Sequence, residues 1–261
     1  ALQTSDGDGD NNVAIGNTAM GGADVSGASN IAIGTTSMDA LTSGACNIAI
    51  GINALGATTD GNENIAIGRS ALAASAADGD FNIAIGCLAM GGGLVTGADN
   101  IAIGQNSLDR LSTGTANIAI GLTAATQTDN GNCNIAIGKA AYAVSANDGD
   151  NNIAIGTTAM GAGDTSGDNN IAIGTTAADA LTSGSCNIAI GEIAYGAATT
   201  GHYNVAIGYN SIGTGVTTGE MNIAMGVSSL AAVIGGSCNV AIGRSAGNAL
   251  TTGCHNVGIG G

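Results

Sequence analysis

The sequence predicts an all-β protein, a single parallel β-solenoid of about 15 coils of 17 or 18 residues spanning 1–261. Three observations predict it. The segment Asn-Ile-Ala-Ile-Gly, or a close variant, recurs with its Asn at Asn12, Asn30, Asn47, Asn64, Asn82, Asn100, Asn117, Asn134, Asn152, Asn170, Asn187, Asn204, Asn222, Asn239 and Asn256. A Gly stands three residues before every one of those Asn residues, from Gly9 to Gly253. No unrelated segment interrupts the copies, so stacked repeats rather than separate globular domains are expected.

Each coil divides into a few elements. Ile-Ala-Ile alternates with period two, which places the two Ile on one face of a short strand and the Ala on the other. Hydrophobicity assigns the Ile ladders to the interior, where β-branched side chains stack well, and the Ala row to an outer face suited to close packing against another chain. The motif Gly makes a bend. A second apolar pair, such as Ala71-Leu72 or Ala141-Tyr142, then suggests a second short strand or extended stretch. Dipeptides such as Thr96-Gly97 and Ser183-Gly184 supply the closing turn, with Gly at positive φ. The repeated Asn has two readings, a simple turn preference or a continuous amide ladder along the stack.

A longer rhythm overlies the short one. The Asn spacings run 18, 17, 17 and 18, a block of 70 residues that is kept from Asn12 to Asn222. Duplication of a four-coil block accounts for it.

Composition narrows the function. With 46 Gly, no Pro or Trp, and Phe81 as the only Phe, the chain lacks the bulky side chains of a globular core. Collagen is excluded because Gly does not fall at every third residue. A net charge of −15, with Arg69, Arg110, Lys139 and Arg244 as the only strong cations, argues against nucleic acid or an anionic membrane as partner. No apolar run approaches membrane-spanning length. Ala1 is the kind of small residue that signal peptidase leaves, which points to a secreted, extracellular or cell-surface protein. Of six cysteines, only Cys238 and Cys254 fall in adjacent repeats; they are read as small thiols or as a Cys238–Cys254 or interchain bridge.

The Asn-Ile-Ala-Ile-Gly-x-x-Ala core resembles the head repeat of YadA-like trimeric autotransporter adhesins, and repeats in some phage tail fibres. The likeness runs from Asn12 to Gly260. It implies a left-handed β-roll and trimeric, lateral association. This chain departs in its longer period of 17 or 18 residues and in having no stalk, neck or anchor sequence.

Chemistry is sparse. His202 and His255 lie three coils apart, and no acid–base pair converges, so no catalytic residue and no enzyme activity are expected. Asp6, Asp8 and Asp10 alternate in the way that wraps Ca²⁺ with oxygen ligands, making calcium the one candidate cofactor; the plain alternative is a solvated acidic turn. Shorter Asp-Gly-Asp copies begin at Asp78 and Asp148. Thr35-Thr36, Thr157-Thr158 and Thr175-Thr176 hint at ice binding, but Arg69, Cys87, Glu192 and Tyr209 interrupt that row.

The repeat phase continues from Gly261 of one copy to Ala1 of another, with Leu2 near the place of the second apolar pair. Ala1, Leu2, Asn256, Val257, Ile259 and Gly261 are therefore assembly candidates, and neither end carries a cap sequence. The expected function is a structural, extracellular subunit that self-assembles head to tail into a filament, its partners being copies of itself. The alternatives are a trimeric adhesin head or tail-fibre shaft, and an ice-binding solenoid.

Overall fold

The computed structural model describes residues 10–22, 24–74, 79–144 and 149–261. The described residues form a parallel β-solenoid with no helix, each coil contributing one strand of three residues. Contacts within the chain group into two units, Ala1–Asn132 and Cys133–Gly261.

The first unit holds β1 (Val13–Ile15), β2 (Ile31–Ile33), β3 (Ile48–Ile50), β4 (Ile65–Ile67), β5 (Ile83–Ile85), β6 (Ile101–Ile103) and β7 (Ile118–Ile120). The second holds β8 (Ile135–Ile137), β9 (Ile153–Ile155), β10 (Ile171–Ile173), β11 (Ile188–Ile190), β12 (Val205–Ile207), β13 (Ile223–Met225), β14 (Val240–Ile242) and β15 (Val257–Ile259). Inside each unit every strand pairs in parallel with the next in sequence, with no register offset: Ile31 faces Ile48, Ala32 faces Ala49 and Ile33 faces Ile50. The coil-to-coil bonds continue beyond the strands. Met38 N–H donates to Ala54 O at 3.0 Å and Thr42 N–H to Thr59 O at 2.8 Å, so turns as well as strands are stacked.

The strands face the opposite way from the hydrophobic expectation. The motif Ala is fully buried in strand after strand (Ala32, Ala49, Ala66, Ala84 and Ala102 all at 0% exposure), while the flanking Ile are partly exposed. Opposite the Ala row, the interior already holds Met20, Met38, Leu55, Leu72, Met90, Leu108, Tyr142 and Tyr195, all fully buried. A coil of 17 residues is too narrow for a large side chain from both walls at the strand repeat of about 4.8 Å, so the wall opposite accepts a methyl group. The Ile ladders therefore line the outside.

Two local expectations are also corrected. The second apolar pair is not a strand. It lies in a run of turns in which the residue two after the motif Gly and the residue four after it take left-handed backbone, for example Ser70 (φ 55°) and Leu72 (φ 50°). Left-handed backbone costs a non-Gly residue roughly 1–2 kcal/mol, comparable to what full burial of Leu72 returns. Nor does the Gly of the closing turn have positive φ. Gly27 is required by crowding instead, since a Cβ there would collide with the carbonyl oxygen of Gly44. Positive φ belongs to the motif Gly, at 136° for Gly16 and 140° for Gly34.

Candidate functional site

The repeated Asn, which shares the inward face with the Ala, forms a hydrogen-bonded ladder. Asn47 N–H donates to Asn30 Oδ1 at 2.9 Å, and Asn47 Nδ2 donates to Asn30 Oδ1 at 3.1 Å and to Gly61 O at 2.7 Å. The same backbone bond links Asn12 through Asn117 in the first unit and Asn134 through Asn256 in the second. Each amide also occupies a carbonyl of the following closing turn, so polar atoms buried at 0% exposure, as in Asn64 and Asn82, are satisfied. In the second unit two buried phenols join this network. Tyr195 Oη donates to Gly201 O at 3.1 Å and accepts from Asn204 Nδ2 at 2.8 Å. Burial raises the Tyr195 phenol well above its ordinary range.

A second ladder, not foreseen from the sequence, runs through the residue two before each Asn. Here the backbone N–H of one coil donates to a side chain of the next: Asn62 N–H to Asp80 Oδ1 at 2.7 Å, Asp150 N–H to Asp168 Oδ1 at 2.8 Å, and Ser185 N–H to His202 Nδ1 at 3.0 Å. The residue types vary but all carry a short-range acceptor, the one signal by which the row could have been found.

Asp109 and Asp179 stand 70 residues apart in the duplicated block, with Asp39 a further 70 before them. Burial raises the carboxyls of Asp109 and Asp179, opposed by the Gly92 N–H at the first and the Gly161 and Ala162 N–H groups at the second. One oxygen of each of the three is enclosed with no hydrogen-bond partner.

The outward face is the largest regular feature. Its Ile side chains keep about a third or more of their surface exposed, as at Ile50 (37%), Ile103 (37%) and Ile190 (37%). Two rows border it. Before the Asn stand Asn11, Ser29, Cys46, Glu63, Phe81, Asp99 and Ala116 in the first unit, and in the second Cys133, Asn151, Asn169, Cys186, Tyr203, Met221, Cys238 and His255. After the motif Gly stand Asn17, Thr35, Ile52, Arg69, Cys87, Gln105 and Leu122, then Lys139, Thr157, Thr175, Glu192, Tyr209, Val227 and Arg244. Phe81, Tyr203 and Met221 in the first row, and Ile52, Leu122, Tyr209 and Val227 in the second, are exposed.

The other candidates are not gathered into a site. Asp6, Asp8, Asp78 and Asp148 lie outside the described residues, and Asp10 is exposed, its carbonyl accepting from Ser29 N–H at 2.9 Å. Among the described residues no group of three or more His, Cys, Asp or Glu could hold a metal ion. All six cysteines are free thiols, so the Cys238–Cys254 bridge is not formed; Cys254 Sγ accepts from Ser237 N–H at 3.4 Å. The Thr36 and Thr176 hydroxyls fold back on the carbonyls of Thr35 (2.7 Å) and Thr175 (2.8 Å) rather than forming an outward row.

Of the assembly candidates, Ala1 and Leu2 lie outside the described residues. Asn256 is tied to Asn239, while Val257 (72%) and Ile259 (77%) are largely exposed on β15. Beside them a recess of about 180 Å³ opens between Leu230, Ala241 and Leu250, where Gly247 and Gly258 replace two of the side chains that fill other coils. Gly261 lies against Arg244. No family model, curated protein or solved structure matches the chain.

Proposed function

We propose that this chain is a structural subunit of an extracellular fibre, in which copies associate laterally through the Ile face and lengthen by stacking coil upon coil. The observation that carries this reading is the outward double row of Ile. An apolar surface that repeats in every coil exceeds the isolated exposed side chains normal for a monomer and has the character of an interface. The fourteen Ile and Val positions of the first unit offer on the order of 800 Å², the area one partner contributes to an interface of standard size. The trimeric arrangement of adhesin heads and tail-fibre shafts, which the repeat resembles, uses the same kind of lateral contact. The extracellular location rests on that resemblance. Lengthening includes the join in which Asn256, Val257, Ile259 and Gly261 of one copy meet Ala1 and Leu2 of the next. A coil stacked on β15 would bury Val257 and Ile259.

Sedimentation equilibrium with negative-stain microscopy tests the proposal. The purified chain should form oligomers at micromolar concentration. Replacing the outward Ile83, Ile85, Ile101 and Ile103 together with Thr, which keeps β-branching, should yield monomers with unchanged circular dichroism. Each Ile withdrawn from water contributes about 1–2 kcal/mol, so four suffice to change the mass distribution. A parent chain that stays monomeric at tens of micromolar, or a variant as oligomeric as the parent, would sink the lateral reading. Rods whose length does not respond to concentration would sink the end-to-end join.

A further inference from the structure

The Ile ladders alone cannot decide how two copies align. Each coil presents the same pair of side chains, so a slip by one coil leaves every Ile against an Ile. The bordering rows can decide it. In one molecule, the row members of a single coil stand six residues apart along an extended run, roughly 15–20 Å, at opposite margins of the face. Nothing within the molecule rewards a match between them. Yet their chemistry agrees coil by coil: Ser29 goes with Thr35, Ala116 with Leu122, and Tyr203 with Tyr209. Every polar residue of the first row shares its coil with a polar residue of the second. The three coils that depart each set a cysteine against a charge: Cys133 with Lys139, Cys186 with Glu192, and Cys238 with Arg244. The only charged residue facing an opposite charge is Glu63, which shares its coil with Arg69.

Building on the lateral reading above, we propose that a second copy of this chain packs alongside in parallel and coil for coil in register. The row before the Asn of one copy then lies against the row after the Gly of its neighbour. Such a contact is heterologous, so it closes into a ring when the rotation between copies allows. In register, Glu63 meets Arg69 of the neighbouring copy, and apolar margins meet apolar margins. A slip by one coil would set Glu63 beside Ile52 or Cys87, and Phe81 beside Arg69 or Gln105, desolvating charge against apolar surface. Among the described residues neither Glu63 nor Arg69 is ion-paired within the chain, and Arg69 Nη2 reaches only the Cys87 thiol, at 3.1 Å. Both are free to serve a neighbour.

Charge reversal on the intact chain, read by sedimentation equilibrium with circular dichroism as the folding control, tests the register. Glu63→Arg and Arg69→Glu should each weaken association about tenfold, and the double variant should return to within about twofold of the parent. A parent that is oligomeric with single variants equally oligomeric overturns the register while leaving lateral packing intact. A double variant as weak as the two singles combined also overturns it, because the two residues then do not face each other. A monomeric parent overturns both readings together.

Discussion

Asp179 shows how a single side chain can be held at a cost. Its carboxylate accepts from the Gly161 and Ala162 N–H groups, but burial outweighs both and raises its pKa above the ordinary 3.8, while one oxygen is enclosed without a partner. The folded chain therefore binds the Asp179 proton more tightly than the unfolded chain does. The group's contribution to stability is full below the ordinary carboxylate range and is lost as pH rises through the raised value. At neutral pH the folded state carries a partly desolvated charge. Asp179→Asn keeps an acceptor for the two N–H groups and removes that charge. It is expected to melt higher than the parent at pH 7, with the difference closing as the pH falls below 3.8. Thermal melts of both proteins across that range check this, and a variant less stable at pH 7 would contradict it. Nothing in the sequence marked Asp179, because an Asp next to turn residues looks like any solvated turn.

At the scale of the coil, the strand is the element that could be read and its orientation the part that could not. Ile-Ala-Ile fixes a period of two, and the Asn spacing fixes the register of Ile171 on Ile188. Which face turns inward is a separate matter, because both faces are apolar and hydrophobicity favours the larger residue. The deciding fact lies across the coil. Met160, Ala178, Tyr195 and their counterparts project inward from left-handed turn positions, and residues of these types do not announce positive φ in a sequence as Gly or Asn would. The one usable signal was size, since the inward strand position holds Ala in every described coil but one, where Gly258 stands. The expected consequence is specific. Ala172→Leu should destabilise the chain by about 3 kcal/mol, the upper range for overpacking, whereas the outward Ile173→Val should change stability by less than about 1 kcal/mol. Urea unfolding of the two variants checks this. Equal losses would place Ile173, not Ala172, in the interior.

Over the whole molecule the formal charge of −15 opposes any association of identical copies. The Ile face must outweigh that repulsion, and the repulsion is spread over exposed carboxylates that salt screens. Self-association is therefore expected to strengthen as ionic strength rises from a few millimolar to roughly 0.15 M, where the Debye length has fallen to about 8 Å. Light scattering across a salt series checks the sign. Weakening with salt would mean that ion pairs rather than apolar contact hold the copies. The two polar ladders add a consequence of another kind. In each unit the Asn Oδ1 always accepts from the coil that follows, as Asn30 accepts from Asn47, while the neighbouring ladder runs the other way, Asn62 N–H donating forward to Asp80. The upper and lower surfaces of a coil are thus chemically distinct, each the complement of the other, like stud and socket. A coil laid on upside down would set acceptor against acceptor, so the stack carries an arrow, and whatever adds to it must arrive pointing the same way.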